Sequence, residues 1–358
     1  MTIDELRARI DALDAKLVEL LDERARVARD IGELKREDTR AIHDPEREER
    51  VIERAAARLA ALPDPVFPGA SIRPVMREIM SACLSVEEAM KVAYLGPAGT
   101  FSHLAARRAF GLAARYAECA TIDGVFDAVE RGHAAYGVVP FENSTEGGVS
   151  FTLDRFLSSR LRIRRELVLE VTHCLLANGA DLSRIARVYS HPQALAQCRS
   201  WLARNLPSAQ LIASSSTTSA VREAESDEAG AAIASRLAAE SSSLEVVREG
   251  VQDHPHNATR FVILAAEDAP PTGDDRTSIV FSSPDERGAL RRVLEVFDDE
   301  GINLSRIESR PARDRAWQYV FFTDLDGHRD DPAVARALAR IAERCQMVEI
   351  LGSYPRAR

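Results

Sequence analysis

The chain has 358 residues, 45% of them hydrophobic and 29% charged, with a formal net charge of −9. That length predicts two or three domains, and that composition a globular, soluble protein rather than a disordered one. The acidic balance argues against nucleic acid as the main partner. No apolar run reaches the length of a transmembrane helix, and the amphipathic start MTIDELRARIDALD does not read as a secretory signal, so a cytoplasmic protein is expected, with no membrane partner. Five scattered cysteines without a Cys-x-x-Cys pair, and His254-Pro255-His256 without companion ligands, predict neither a disulfide framework nor a metal.

Residues 1–91 read as helical. Leu6, Ile10, Leu13, Leu17, Leu20, Val27, Ile31 and Leu34 recur at alternating spacings of four and three, the seam of a coiled coil or helix bundle. Arg24 takes a seam position, where a charge needs a partner or a ligand. Lys35 lies about 16 Å further along the axis and Arg7 about 25 Å back from Arg24, at 1.5 Å per residue. Arg24 and Lys35 can converge on one small anion, and Arg7 cannot join them from the same chain. If all three serve one site, Arg7 comes from an antiparallel copy in a two-fold dimer. Asp44-Pro45 predicts a capped second helix. In the third, Glu87 is in line with Met76, Met80 and Cys83, a face that favours a protonated, hydrogen-bond-donating carboxyl.

From Val92 to about Leu264 strands and helices alternate. LGPAGTFS places two glycines between a strand and a helix, with Thr100 and Ser102 at its mouth, but it lacks the Gly-x-Gly-x-x-Gly of a dinucleotide site. YGVVPFENSTEGGVSFTLDRF, YSHPQALAQC and VQDHPHNATRFVIL follow, each setting polar residues at the end or the beginning of an apolar stretch. Singly, Asn143, Ser144, His191, Gln193, Asn257 and Thr259 also read as turn formers, caps and loop residues. EDAPPTGDD, residues 267–275, reads as a linker, and the remainder as β-α-β-β-α-β, the ferredoxin-like order.

These motifs carry three resemblances. LRARIDALDAKLVELLDERARVARDIGELK with HDPEREERVIER resembles the all-helical chorismate mutases, over nearly all of residues 4–90. The resemblance implies that Arg24, with Arg7 of the partner subunit, binds two carboxylates, that Lys35 and Glu87 contact the breaking ether oxygen, and that Glu48, near Asp44 and Arg47, meets the ring hydroxyl. Cys83 falls near where some members place a serine. GPAGTFS, VPFENSTEGGV, SHPQALAQC and NATRF together resemble prephenate dehydratase, with two α/β lobes like a periplasmic binding protein, the chain leaving the first lobe near Val171 and returning near Gly250. Carried over, Thr259 assists departure of the ring hydroxyl with Arg260 and Phe261 completing its motif. Asn143, Ser144 and Gln193 bind prephenate, Glu142 supports them and Thr100 lines the cleft. The family often has glutamate where this chain has Ala98, so no role is assigned there. Gly288-Ala289-Leu290 and Glu308-Ser309-Arg310 in the terminal unit resemble the phenylalanine-binding motifs of ACT domains.

The combined expectation is a multidomain chain of the bifunctional chorismate mutase/prephenate dehydratase family (P-proteins). It comprises an all-α mutase domain (1–91), an α/β two-lobed dehydratase domain (92–268) and an α+β ferredoxin-like ACT domain (277–358). Chorismate, prephenate and phenylalanine are its implied ligands, no cofactor is implied, and a homodimer is expected. A non-catalytic small-molecule sensor, or a dehydratase with an inactive helical dimerisation domain, are the competing readings. A mutase–dehydrogenase fusion is disfavoured by the missing dinucleotide motif.

Overall fold

The computed structural model describes residues 2–37, 44–87, 90–254, 256–312 and 319–357. The chain divides into two compact units, residues 1–92 with 107–116 and residues 93–106 with 117–358. No helix among the described residues is long and apolar enough to cross a membrane.

The first unit is built on the helices Ile3–Glu37, Pro45–Ala60 and Gly69–Glu87. Asp4 and Glu5 sit in the first turn of the first helix, where the helix dipole favours negative charge. Asp44 caps the second, accepting from the Arg47 backbone N–H at 2.9 Å, with Pro45 in its opening turn. The third helix packs against both others, and Ile52, Met80 and Cys83 are buried in this unit. Its Glu78 and Ser81 accept from the backbone N–H groups of Leu112 and Ala113, which is why residues 107–116 belong to the helical unit. The first helix presents its apolar seam to solvent. Leu6, Ile10, Leu13, Leu17, Leu20, Val27, Ile31 and Leu34 are all exposed, Leu13 by 62%.

The described strands form three sheets. In the first, the strands run in the order Arg115–Cys119, Lys91–Leu95, Tyr136–Asn143, Ala258–Ala265, Arg162–Glu170, with the short Gly147–Gly148 strand on Tyr136–Asn143. The second sheet has the order Glu245–Glu249, Cys174–Ala177, Gly230–Ala234, Arg187–Ser190, Gln210–Ala213. The chain crosses from the first sheet to the second after Glu170 and returns after Glu249. The return strand Ala258–Ala265 inserts antiparallel between two strands made long before it. Its residues 259–265 are all buried, as a strand covered on both faces requires.

The third sheet, Leu304–Pro311, Tyr319–Asp326, Asp275–Ser282, Met347–Pro355, carries the helices Ala289–Asp299 and Pro332–Ala342. One face (Ile279, Phe281, Leu325) packs on those helices through Val293, Phe297 and Ile341. The other (Val280, Val320, Phe322, Leu351, Tyr354) shares a core with Phe141 and Val262 of the first sheet and with Phe156 of the helix Ser150–Phe156. Gly352 makes that approach possible, since a Cβ there would fall 2.3 Å from the carbonyl oxygen of Ile163. The expected linker is pinned within this join. Ala269 is buried in the shared core, its N–H donates to Ser353 O at 3.0 Å, and Asp275 gathers the backbone N–H groups of Thr272 and Gly273.

Candidate active sites

Strand register sorts the candidates of the two-lobed unit. Thr259 pairs with Asn143 and Arg260 with Glu142, so alternation puts the first pair on one face of the sheet and the second on the other. On the first face Asn143 Nδ2 donates to Thr259 Oγ1 and to Asn257 Oδ1, both at 3.0 Å. Asn143 Oδ1 accepts from the Thr145 backbone N–H at 2.9 Å. Asn257 passes its own Nδ2 to Gln197 Oε1 at 3.1 Å, and His173 Nε2 reaches the same oxygen at 2.9 Å. Gln197 Nε2 and Gln193 Nε2 donate to the Glu146 carboxylate at 3.3 and 2.6 Å. Beside this network lies a cleft of about 230 Å³, lined by Thr145, Glu146, Ala196, Gln197, Gln252, His254 and Asn257. The lining carries one carboxylate and no lysine or arginine.

The other face has a different task. Arg260, expected among the substrate ligands, is 8% exposed and turned toward the third sheet. Its guanidinium meets Asp324, Glu166 at 2.6 Å and the Tyr354 hydroxyl at 2.7 Å, and stacks over the Phe141 ring. Burial opposes its charge, but Tyr354, Asp324 and Glu166 outweigh that and hold it protonated. Arg276 closes the cluster on Glu166 at 2.8 Å. Phe261, 2% exposed, is a core side chain. Glu142 shares Arg260's face, 3.4 Å from it and 3.5 Å from Arg306.

Turn chemistry accounts for two further candidates. The Thr100 hydroxyl donates to Pro97 O at 2.9 Å, closing the glycine turn before the helix Phe101–Phe110. That turn meets the second lobe directly: Thr218 Oγ1 donates to Ala98 O at 2.9 Å and Ser235 Oγ to Gly99 O at 2.7 Å. Ser144 Oγ accepts from Ala258 N at 3.0 Å and donates to His256 O at 3.3 Å, tying the two motif strands together. His191 caps the helix that carries Gln193, its Nδ1 accepting from the Gln193 N–H. Asn257, Gln197, His173 and Glu146 were not among the expected ligands. Gln197 was within reach of sequence, four residues after Gln193 and so on the same helical face.

In the helical unit Arg24 and Lys35 are half-buried on the first helix, and Lys35 and Arg50 lie near enough to Asp44 to favour its charged form. Burial raises the Asp44 pKa, but the bond from Arg47 N and these cations reverse that, leaving it below the ordinary carboxylate value. Glu48 is half-buried one turn along, Arg47 is exposed, and Cys83 is buried beside this unit's core. Arg7 is solvated and 3.5 Å from Asp4. The Glu87 side chain lies outside the described residues.

In the third sheet Gly288, with φ of 80°, opens the helix Ala289–Asp299, with Ala289 buried and Leu290 half-buried behind it. Register pairs Ser309 with Phe321 and Glu308 with Phe322, so Ser309 shares the helix side and Glu308 and Arg310 the opposite one. Those two charges engage the first lobe of the two-lobed unit. Arg310 reaches Ser150 Oγ at 2.9 Å and Asp154 at 3.2 Å, and Glu308 pairs with Arg306 against Gly148.

Family models match this chain in three stretches: Chorismate mutase type II at residues 6–88, Prephenate dehydratase at 92–269 and ACT domain at 277–343. Bifunctional chorismate mutase/prephenate dehydratase of Aquifex aeolicus is 47% identical over 355 residues, covering 99% of this chain and 98% of that protein. That of Neisseria gonorrhoeae is 45% identical, covering 99% of each. A solved prephenate dehydratase in complex with L-Phe, from Arthrobacter aurescens, superposes with a TM-score of 0.69 at 39% identity, over 75% of this chain and 90% of that one. With relatives this similar along its whole length, the chain belongs to the bifunctional chorismate mutase/prephenate dehydratase family.

Proposed function

We propose that this chain rearranges chorismate to prephenate in its helical unit and converts prephenate to phenylpyruvate in the two-lobed unit, restrained by phenylalanine at the C-terminal domain. The observation that carries the dehydratase half is the Asn143–Thr259 pair. Because Thr259 Oγ1 accepts from Asn143, its own hydrogen is free to be given to a ligand. Prephenate loses carbon dioxide and its ring hydroxyl as the ring becomes aromatic. One proton is taken up, and water departs. The electron pair of the breaking C–CO₂ bond enters the ring as the C–O bond breaks, so a donor at the leaving oxygen is the principal requirement. Thr259→Ala is expected to lower dehydratase kcat by about 10²–10⁴, the usual weight of a positioned donor, with the mutase rate unchanged. A dehydratase rate equal to wild type would refute the assignment.

The mutase half needs no nucleophile, because the rearrangement is pericyclic and requires a held conformer and charge stabilisation at the ether oxygen. Arg24, Lys35 and Glu48 supply charge from one chain, and Arg7 stands about 25 Å along the axis from Arg24. The exposed seam of the first helix supports a second copy, which would cover it and deliver Arg7. Mixing Arg7→Ala with Arg24→Ala protein tests this: statistical mixed dimers regain one intact site each, about a quarter of the wild-type mutase rate. No recovery after subunit exchange would mean that the two arginines act within one chain.

A further inference from the structure

The hydrogen bonds around Thr259 form a closed, directional ring, and the geometry points to Glu146 as the residue that sets its direction. The inference rests on the reading of Thr259 as donor. Taken in order, Thr145 N–H gives to Asn143 Oδ1, and Asn143 Nδ2 gives to Asn257 Oδ1. Asn257 Nδ2 gives to Gln197 Oε1, and Gln197 Nε2 gives to Glu146. The peptide bond between Thr145 and Glu146 closes the ring. Both ends are chemically fixed: a backbone N–H can only donate and a carboxylate can only accept. The three amides between them each have one orientation that satisfies both neighbours, and it is the one that turns Asn143 Nδ2 onto Thr259 Oγ1. If Gln197 were reversed, its oxygen would face the Glu146 carboxylate and its NH₂ the Asn257 NH₂.

His173 braces the same joint. It is 3% exposed, edge-on to the Phe101 ring, and its Nε2 is 2.9 Å from Gln197 Oε1. Since that oxygen only accepts, Nε2 carries the proton, and Nδ1 is buried without a partner. Glu146 also receives Gln193 on its second oxygen, which a carboxylate accommodates and an amide does not. Glu146 and His173 are therefore positioning residues, acting on the reaction through Gln197, Asn257 and Asn143.

The test is steady-state kinetics of the full-length protein with prephenate, the mutase rate of each preparation serving as the folding control. Glu146→Ala is expected to lower dehydratase kcat about tenfold, the size of one lost hydrogen bond, with KM within about threefold of wild type. Glu146→Gln should fall between, because Gln197 and Gln193 reach different oxygens of the carboxylate and the variant keeps an acceptor on only one of those two sides. His173→Gln, whose Nε2 can still donate, should retain more activity than His173→Leu. An unchanged kcat in Glu146→Ala, or a loss confined to KM, overturns the proposal, as do equal losses in Glu146→Gln and Glu146→Ala. The underlying donor reading fails separately: full activity in Thr259→Ala removes it and the relay together, whereas a collapsed Thr259→Ala beside an unaffected Glu146→Ala removes only the relay.

Discussion

Neighbouring residues on one strand serve two different purposes here. Thr259 faces the hydrogen-bonded ring at the cleft, while Arg260 is locked into Asp324, Glu166 and Tyr354 beneath the third sheet. A buried guanidinium stripped of a partner is costly, so Asp324→Asn is expected to destabilise the second unit by about 3–5 kcal/mol, read as a lowered unfolding midpoint in denaturant. A midpoint at the wild-type value would show that the cluster contributes little. His173 makes a pH-dependent contribution. Burial holds its pKa below 6.5, against the opposing pull of Gln197, so the folded state takes up its proton only at lower pH than the unfolded chain does. Stability from this group is complete above pH 6.5 and declines as pH falls from there toward the folded value. Denaturation midpoints at pH 7 and pH 5.5 should therefore differ less in His173→Gln than in wild type. Of this chemistry the sequence shows Thr259, Asn143 and Gln193, because they sit in compact motifs. It does not show that Arg260 turns away, since its partners lie 64 and more residues off in the chain.

Among the elements, those whose periodicity is local were the readable ones. The heptad seam of the first helix and the β-α-β-β-α-β order of the last domain match the observed elements closely. The facing of Glu308 and Arg310 was not readable, because a period of two reveals which residues share a face but not which face a neighbouring domain will cover. The two glycines of ENSTEGG do different things. Gly147, at φ of 82°, does turn, but a Cβ on Gly148 would fall 2.2 Å from Glu308 Oε2, so its hydrogen is required by the neighbouring strand. Gly352 is less forgiving at a similar distance, because its obstacle is the Ile163 backbone rather than a movable side chain. Gly352→Ala should cost about 1–3 kcal/mol, as overpacking does, and Gly148→Ala less, since Glu308 can swing aside. Differential scanning fluorimetry of the two variants would rank them, and the reverse order would contradict this account.

The molecule as a whole joins its regulatory domain to the catalytic lobe by a shared core, in which Val280, Phe322 and Tyr354 pack with Phe141 and Val262. A chain ending before residue 270 would leave that face of the first sheet bare, and aggregation rather than an unregulated dehydratase is the expected product. Soluble, active material from such a truncation would argue against this join. The inserted strand Ala258–Ala265 also bears on synthesis. Its two flanking strands, Tyr136–Asn143 and Arg162–Glu170, leave the ribosome first, and roughly ninety further residues must follow before their common neighbour arrives, a wait of about 4–18 s at an elongation rate of about 5–20 residues per second. Through that interval the nascent first lobe holds two unpaired strand edges, and the entire second lobe can fold before the first is closed. Thr259, carried on the closing strand, therefore reaches its site only when both lobes are already made.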